Sequence, residues 1–447
     1  MNYRLYITVV IGMILMSGCD PDDRERRNPL DAGNALTSGR PQNLRSLGNH
    51  ESVGLSWNRV FLSDVVGYRL YRTDGSGSVT TTDVFGTPPP NEFVDENVLN
   101  GETYEYKFSV LIGDRQNPLE SDISNGVFSS PGPESCWVID EGLGFVLKVS
   151  SDARAISHSV VSIFGARHIA IDPRDGAAWL TTEFGGAGQG GIAVRYTAAG
   201  TRSTVVTGFR LPGPVGVDPS DGSVWVADEG TGEGDALVVR ATEKGIPIFR
   251  LTDFVKPTAL AIVGNSGSAW IGDSGAHTVS LISNLSVRLS TVENMGLPSE
   301  IAVNASSGAC WVIDSSRASV FRLDPDGSVS ATITGFTEPI SLAYSVLTND
   351  CWIIDSGTAS ILRISDSVSG LYDVLQSQSF HKILSGLVVP SDVTIDDTNG
   401  NVWVSDLALT GLLKYSNDGV EIARFPGLLV PTTIAVDQGT RSVTFIP

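Results

Sequence analysis

The sequence predicts an all-β protein: a small β-sandwich followed by a β-propeller that takes up most of the chain. Short apolar strands built on Trp recur through the last three-quarters of its 447 residues: WVID at Trp137, WLTTE at Trp179, WVAD at Trp225, WIGD at Trp270, WVID at Trp311, WIID at Trp352 and WVSD at Trp403. Their steps are 42, 46, 45, 41, 41 and 51 residues. A period of roughly 40 to 45 residues holding several short strands marks propeller blades, which bury their faces only against one another. Composition agrees, since 41% of residues are apolar, 48 are Gly and only 18% are charged, which suits a packed body and not a fibre or a disordered tail.

At the N-terminus Arg4 precedes an apolar run from Leu5 to Met16, too short to span a bilayer as a mature helix, and Ser17, Gly18 and Cys19 follow it. Small residues before a Cys at this offset resemble a bacterial lipoprotein signal. That resemblance implies removal of residues 1–18, lipidation of Cys19 and a cell-envelope location, on the periplasmic face or the cell surface of a bacterial membrane. A plain secretory signal with an incidental Cys is the competing reading. Residues 19–40, rich in charge, Pro, Gly and Ser, read as a flexible tether.

From 41 to 130 the pattern is plain alternation. Val53, Leu55 and Trp57 form one run with period two, and Tyr104, Tyr106, Phe108 and Val110 form another. GLSW at Gly54, GYRLYR at Gly67 and GETYEYKFSV at Gly101 resemble a fibronectin type III domain. The resemblance implies a two-sheet sandwich with a tyrosine corner at Tyr104 and the role of a spacer or docking unit.

Residues 131–447 hold the repeat, and a second strand runs ahead of each Trp after the first, with one more beyond the last: HIAID at His168, PVGVD at Pro214, PTALAIV at Pro257, PSEIAV at Pro298, PISLAY at Pro339, PSDVTID at Pro390 and PTTIAVD at Pro431. Pro fixes φ at the start of the strand, and small side chains suit a crowded position near an axis. Turns such as DPRDG at Asp172 and DPSDG at Asp218 lead into the Trp strand, and hairpin signals such as DPDG follow it. The paired motifs resemble NHL repeats. The first Trp strand lacks a leading strand and the last leading strand, at Pro431, lacks a Trp, so the two ends are expected to share a blade. This favours seven blades, with six or eight open.

The strands end in Asp140, Glu183, Asp228, Asp273, Asp314, Asp355 and Asp406, each expected to cap the turn that follows it. From the acidic residue to the next apolar strand residue the offset is six in five blades. It is nine from Glu183 to Ile192 and from Asp228 to Leu237. Two long Gly-rich connections in neighbouring blades should lie side by side on one rim. Function on rigid scaffolds concentrates in such loops. The candidate binding rim is therefore Glu183, Gln189, Asp228, Glu229, Glu233 and Asp235.

A net charge of −20 disfavours nucleic acid. No D-x-D-x-D-G loop suggests calcium, GGAGQGG at Gly185 has no GK[ST] after it, and no G-x-S-x-G elbow occurs. Neither a metal, a cofactor nor a catalytic residue is expected. Cys136, Cys310 and Cys351 each precede a blade Trp and read as buried free thiols. His50, His158, His168, His277 and His381 lack ligand spacing. The expected function is a non-enzymatic, lipid-anchored scaffold whose propeller rim binds a protein or a glycan. The alternative is a lyase or hydrolase at the propeller axis, for which His168 and His277 would have to converge with carboxylates.

Overall fold

The computed structural model describes residues 30–31, 39–49, 51–99, 102–129, 131, 135–151, 153, 156–161, 165–185, 190–198, 200–232, 234–375, 381–382 and 386–438. The alternating runs near the N-terminus form two sheets. Arg45–Asn49, Ser52–Ser56 and Glu92–Asp95 make one; Val79–Phe85, Val65–Thr73, Tyr104–Ile112 and Leu119–Glu120 make the other, and Val127–Ser129 also pairs with Tyr104–Ile112. Their inner faces share a core in which Trp57 packs on Tyr68 and Phe108, with ring centroids 5.1 and 5.5 Å away. Polar tips inside such a core need partners. The Tyr104 hydroxyl accepts the Leu99 N–H at 3.0 Å, and the Tyr106 hydroxyl donates to Asp95 at 3.1 Å. Asp95 in turn receives Arg72 from the facing sheet, at 2.9 Å.

From Ser135 to Asp437 the described residues form seven sheets in succession. The innermost strands are Ala166–Ile171, Pro212–Val217, Pro257–Val263, Pro298–Val303, Pro339–Ser345, Pro390–Asp396 and Pro431–Asp437, and each touches the next in a closed cycle. Closure falls at the expected seam: Pro431–Asp437 pairs antiparallel with Ser135–Asp140, placing Ala435 opposite Trp137. The same register puts Ala170, Gly216, Ala261, Ala302, Ala343 and Thr394 opposite the other Trp residues. A small residue is needed there because the neighbouring blade lies close; a Cβ at Gly216 would stand 2.8 Å from the Leu260 and Ile262 side chains. All seven blade Trp residues are buried. Cys136, Cys310 and Cys351 are buried free thiols, and burial raises their pKa well above the usual range.

Behind each blade Trp except one stands a cation that the sequence patterns did not flag. Lys148, Arg195, Arg240, Arg322, Arg363 and Lys414 lie opposite Trp137, Trp179, Trp225, Trp311, Trp352 and Trp403. Lys148 pairs with Asp437 at 2.7 Å, Arg195 with Asp172 at 3.5 Å, Arg240 with Asp218 at 2.9 Å, Arg322 with Asp366 at 2.8 Å and Arg363 with Asp350, and Lys414 donates to the Ser151 carbonyl at 2.9 Å. Opposite Trp270 the position is Leu281, and the indole instead donates to the Gly308 carbonyl at 2.9 Å.

The long step of 51 residues from Trp352 to Trp403 holds an extension between Ser365 and Ser391, and strands within it complete two sheets. Gly370–Asp373 adds a parallel fifth strand to Val329–Thr334 of the preceding blade, while His381–Lys382 closes the Trp352 sheet. Asp366, at the start of this extension, also receives Asn304 Nδ2 and Trp311 Nε1, each at 2.9 Å.

Candidate functional site

The antiparallel path sends two kinds of connection to one rim: the turn after each Trp strand and the segment that enters each innermost strand. Asp140, Asp228, Asp273, Asp314 and Asp406 hold both, whereas Asp355, expected to cap its own turn, holds only the incoming segment through the Thr337 and Glu338 N–H groups. Asp273 accepts Val255 and Lys256 N–H from the incoming segment and Gly275 and Ala276 N–H from its own turn, at 2.8 to 3.0 Å. Asp406 does the same with Val388, Val389, Ala408 and Leu409. Asp140 does it across the seam, accepting Leu429 and Val430 as well as Leu143. Capping of the following turn, read from sequence, is thus half of the role. At Asp314 burial favours the neutral acid, yet the Ser316 hydroxyl, the Leu297 and Gly296 N–H groups and Arg317 outweigh it and hold the carboxyl below its usual range.

Glu183 does not belong to this set. Register places Thr182 where the other blades have Asp, since Thr182 pairs with Ile192 as Asp228 pairs with Leu237. WLTTE carries one residue more than WVAD before its acid, and alternation puts that residue outside the strand. The two long connections are real in register: nine residues separate Thr182 from Ile192 and eight separate Asp228 from Leu237, whereas four separate Asp140 from Phe145 and Asp273 from Thr278.

Of the expected rim residues, Gln189 and Glu233 lie outside the described residues, as does Cys19. Asp228 is fully buried and turned inward, accepting Arg210 and Leu211 N–H at 2.7 Å and Gly230 N–H at 3.2 Å. Asp235 organises its own loop through Thr231 and stands 3.7 Å from Arg210; the Thr231 N–H and hydroxyl lower its pKa. Glu183 and Glu229 meet on Arg167, at 3.6 and 2.7 Å, and Lys256 approaches Glu229 at 3.7 Å. Three neighbouring blades are therefore joined by one charged cluster beneath the long connections. Arg167 was not among the expected rim residues. Its signal is positional: the equivalent residues in the other innermost strands, Gly213, Thr258, Ser299, Ile340, Ser391 and Thr432, carry no charge.

Beside the cluster an open cavity of about 330 Å³ is lined by Glu141, Phe145, Gly165, Arg167 and Glu183 among others. Phe184 is 64% exposed and abuts Gly165, where φ is +72° and a Cβ would come within 2.9 Å of its ring. Aromatic, cationic and anionic groups thus border one hollow, a mixture that suits an amphipathic ligand.

The axis is different. His168 lies on an innermost strand, where burial and the Arg167 charge push its pKa down to about 4; His277 sits in a turn and meets the Gly296 carbonyl at 2.6 Å. The two do not converge, and the described residues contain no group of three His, Cys, Asp or Glu able to hold a metal. Two acids lie on innermost strands, Glu300 on Pro298–Val303 and Asp392 on Pro390–Asp396. Burial and the charge of Asp392 push Glu300 up to about 8, and burial pushes Asp392 up to about 6 against hydrogen bonds from Ser341, Ile434 and Val393. Because the folded pKa of Glu300 lies above its unfolded value, its stabilising contribution is complete below about pH 4.5 and is lost as pH rises through about 8. Glu300→Gln should remove that loss. Urea titration is expected to show the variant gaining about 4 kcal/mol on the parent between about pH 5 and pH 9; parallel curves would contradict the placement.

No protein-family model matches the chain, and no curated protein matches it. Solved structures do. A chain of the nidogen/laminin complex is 12% identical, with 68% of this chain and 98% of that chain covered and a TM-score of 0.41. A protein of unknown function from Bacteroides caccae is 13% identical, with 68% and 99% covered and a TM-score of 0.44. Selenomethionine-substituted virginiamycin B lyase from Staphylococcus aureus is 16% identical, with 61% and 92% covered and a TM-score of 0.46. It is the closed cycle of sheets that makes the chain a β-propeller protein. What those three bind or catalyse belongs to them.

Proposed function

We propose that the protein is a non-enzymatic binding or scaffolding protein of the bacterial cell envelope, tethered to a membrane through lipidated Cys19. In this reading residues 41–130 form a fibronectin type III-like spacer, and residues 131–447 form a seven-bladed, NHL-like ring that presents one rim to a protein or glycan. The observation that carries the reading is the coincidence, on that rim, of the two long connections, the cluster on Arg167 and the cavity beside Phe184. A repeat fixed by packing elsewhere departs from its own pattern there, where chemistry is exposed.

Two experiments test it. Radiolabelled palmitate should enter the parent and not Cys19→Ala; label in the variant would refute the anchor. A photo-crosslinking residue at Glu141, on the cavity wall, should trap an envelope partner, whereas one at Leu285, in a turn at the opposite rim, should not. Arg167→Ala should abolish the capture, and capture that survives it, or that is equal at both rims, would refute the rim.

The elevated pKa of Glu300 favours a second reading, lyase or hydrolase chemistry at the axis, with Glu300 as a proton donor near neutral pH. It would require an activity that Glu300→Gln removes.

A further inference from the structure

The second sheet of the N-terminal sandwich ends in the strand Val79–Phe85, whose outer side pairs with no other strand among the described residues. An edge of this kind offers free N–H and C=O groups to any extended chain, and folded proteins blunt it with bulges, Pro or charge. The blade edges are blunted. Ile156–Val161, Arg202–Val206, Pro247–Leu251, Arg288–Val292 and Glu421–Pro426 each break register against the neighbouring strand. Val79–Phe85 instead pairs with Val65–Thr73 over seven residues without a break, holds no Pro, and reads V-T-T-T-D-V-F, almost entirely β-branched or aromatic. Its one charge, Asp83, is matched within the sheet by Arg69 at 2.6 Å. Val79 and Phe85 are 58% and 38% exposed, apolar surface that a further strand would cover.

The direction of the free groups follows from the hairpin. Asp74 N–H donates to the Ser78 carbonyl at 3.0 Å. Ladder bonds alternate from there, so Thr80, Thr82 and Val84 bond to Val65–Thr73, while the N–H and C=O groups of Val79, Thr81, Asp83 and Phe85 point out of the sheet. On the inner face Thr80 and Thr82 border a hollow of about 350 Å³ that reaches Leu55, Leu70 and Tyr106, so the sandwich is open along this edge.

The strand also complements itself. Laid antiparallel on a second copy about Thr82, Val79 meets Phe85, Thr80 meets Val84, Thr81 meets Asp83 and Thr82 meets itself. This register pairs all seven residues. The outward groups then face one another pair by pair, enough for about eight backbone hydrogen bonds. Apolar meets apolar, a hydroxyl meets a carboxylate, and no like charges stand opposed.

We propose that the protein self-associates through this edge, two copies joining their second sheets across a two-fold axis at Thr82 into one continuous sheet. The interface does not depend on the propeller rim. One strand pair buries little surface, so the dimer is weak, with a Kd on the order of 10 to 100 µM.

Sedimentation velocity tests it on the full chain carrying Cys19→Ala, which removes the cysteine outside the described residues. Dimer should form as the concentration rises to about 200 µM. Thr81→Asp sets a carboxylate opposite Asp83 twice per dimer and should weaken association about tenfold, whereas Thr81→Lys sets an ammonium there and should strengthen it. Both change an exposed side chain, so the monomer keeps its fold. Oxidation with copper–phenanthroline reads the register. Opposed residues at a position of the Thr82 kind stand about 4.5 Å apart at Cα, within disulfide reach. Thr82→Cys should therefore cross-link two copies, and Thr80→Cys, which meets Val84 of the second copy, should not. Cys136, Cys310 and Cys351 are buried and stay out of the reaction. A chain that remains monomeric at about 200 µM would overturn the proposal. So would equal cross-linking at the two positions, or association that Thr81→Asp leaves unchanged.

Discussion

Replacing Arg240 with Met is expected to destabilise the propeller by about 3 to 5 kcal/mol, the cost of removing one member of a buried ion pair. Arg240 is 6% exposed and Asp218 is fully buried. Its guanidinium bonds Asp218 and Asp221 at 2.9 Å, Ser223 Oγ at 2.8 Å and the Asn284 carbonyl at 2.6 Å, while its charge lies 5.8 Å from the centre of the Trp225 ring. Met fills much of the space but leaves the Asp218 carboxylate buried without its cation. The expected readout is a lower urea midpoint with an unchanged slope. Adding Asp218→Asn should recover part of the loss, because the stranded charge is then gone. A single variant within about 0.5 kcal/mol of the parent would show that the pair contributes little.

Removing a rim carboxylate should cost nearly as much. Asp273 is 2% exposed and its two oxygens receive four backbone N–H groups. Asp273→Ala frees all four, two of them on the segment that enters the blade. Hydrogen bonds to a charged acceptor contribute about 1.5 to 3 kcal/mol each and water at the rim replaces some of them, so a net loss of about 3 kcal/mol is expected. Asp273→Asn keeps one acceptor oxygen and should lose about half of that. Hydrogen exchange locates the effect: Lys256 and Ala276 amides should exchange faster in Asp273→Ala, while the Trp403 sheet should keep its protection. Uniform loss of protection around the ring would contradict the local role.

The repeat and its seam were legible because they rest on local signals. Trp137 through Trp403 recur at near-constant spacing, a Pro precedes most innermost strands, and an unpaired Trp strand at one end matches an unpaired leading strand at the other. What escaped rests on partners far apart in sequence. Lys148 meets Asp437 across 289 residues, and nothing in the VLKV run around Lys148 announces it. Gly370–Asp373 joins the preceding blade in parallel, a pairing that no turn signal encodes. Glu183 was assigned to the acidic set from its place at the end of a Trp motif. Only strand register shows Thr182 there, because the face on which a residue lies is decided by pairing. Of the candidate rim, the two long connections were legible from unequal loop lengths, and Glu183 and Glu229 do meet on Arg167. Arg167, the residue that joins them, sits on the strand beneath, outside any loop comparison.

The claim that function lies where the repeat is broken is tested most directly by removing the break. Both long connections, between Thr182 and Ile192 and between Asp228 and Leu237, would be replaced by the four-residue turn that joins Asp273 to Thr278, with the photo-crosslinker kept at Glu141. The urea midpoint is expected to stay close to that of the parent, since no described residue of either loop belongs to a blade core cluster, and partner capture is expected to disappear. Capture undiminished in the shortened protein would place the binding surface elsewhere.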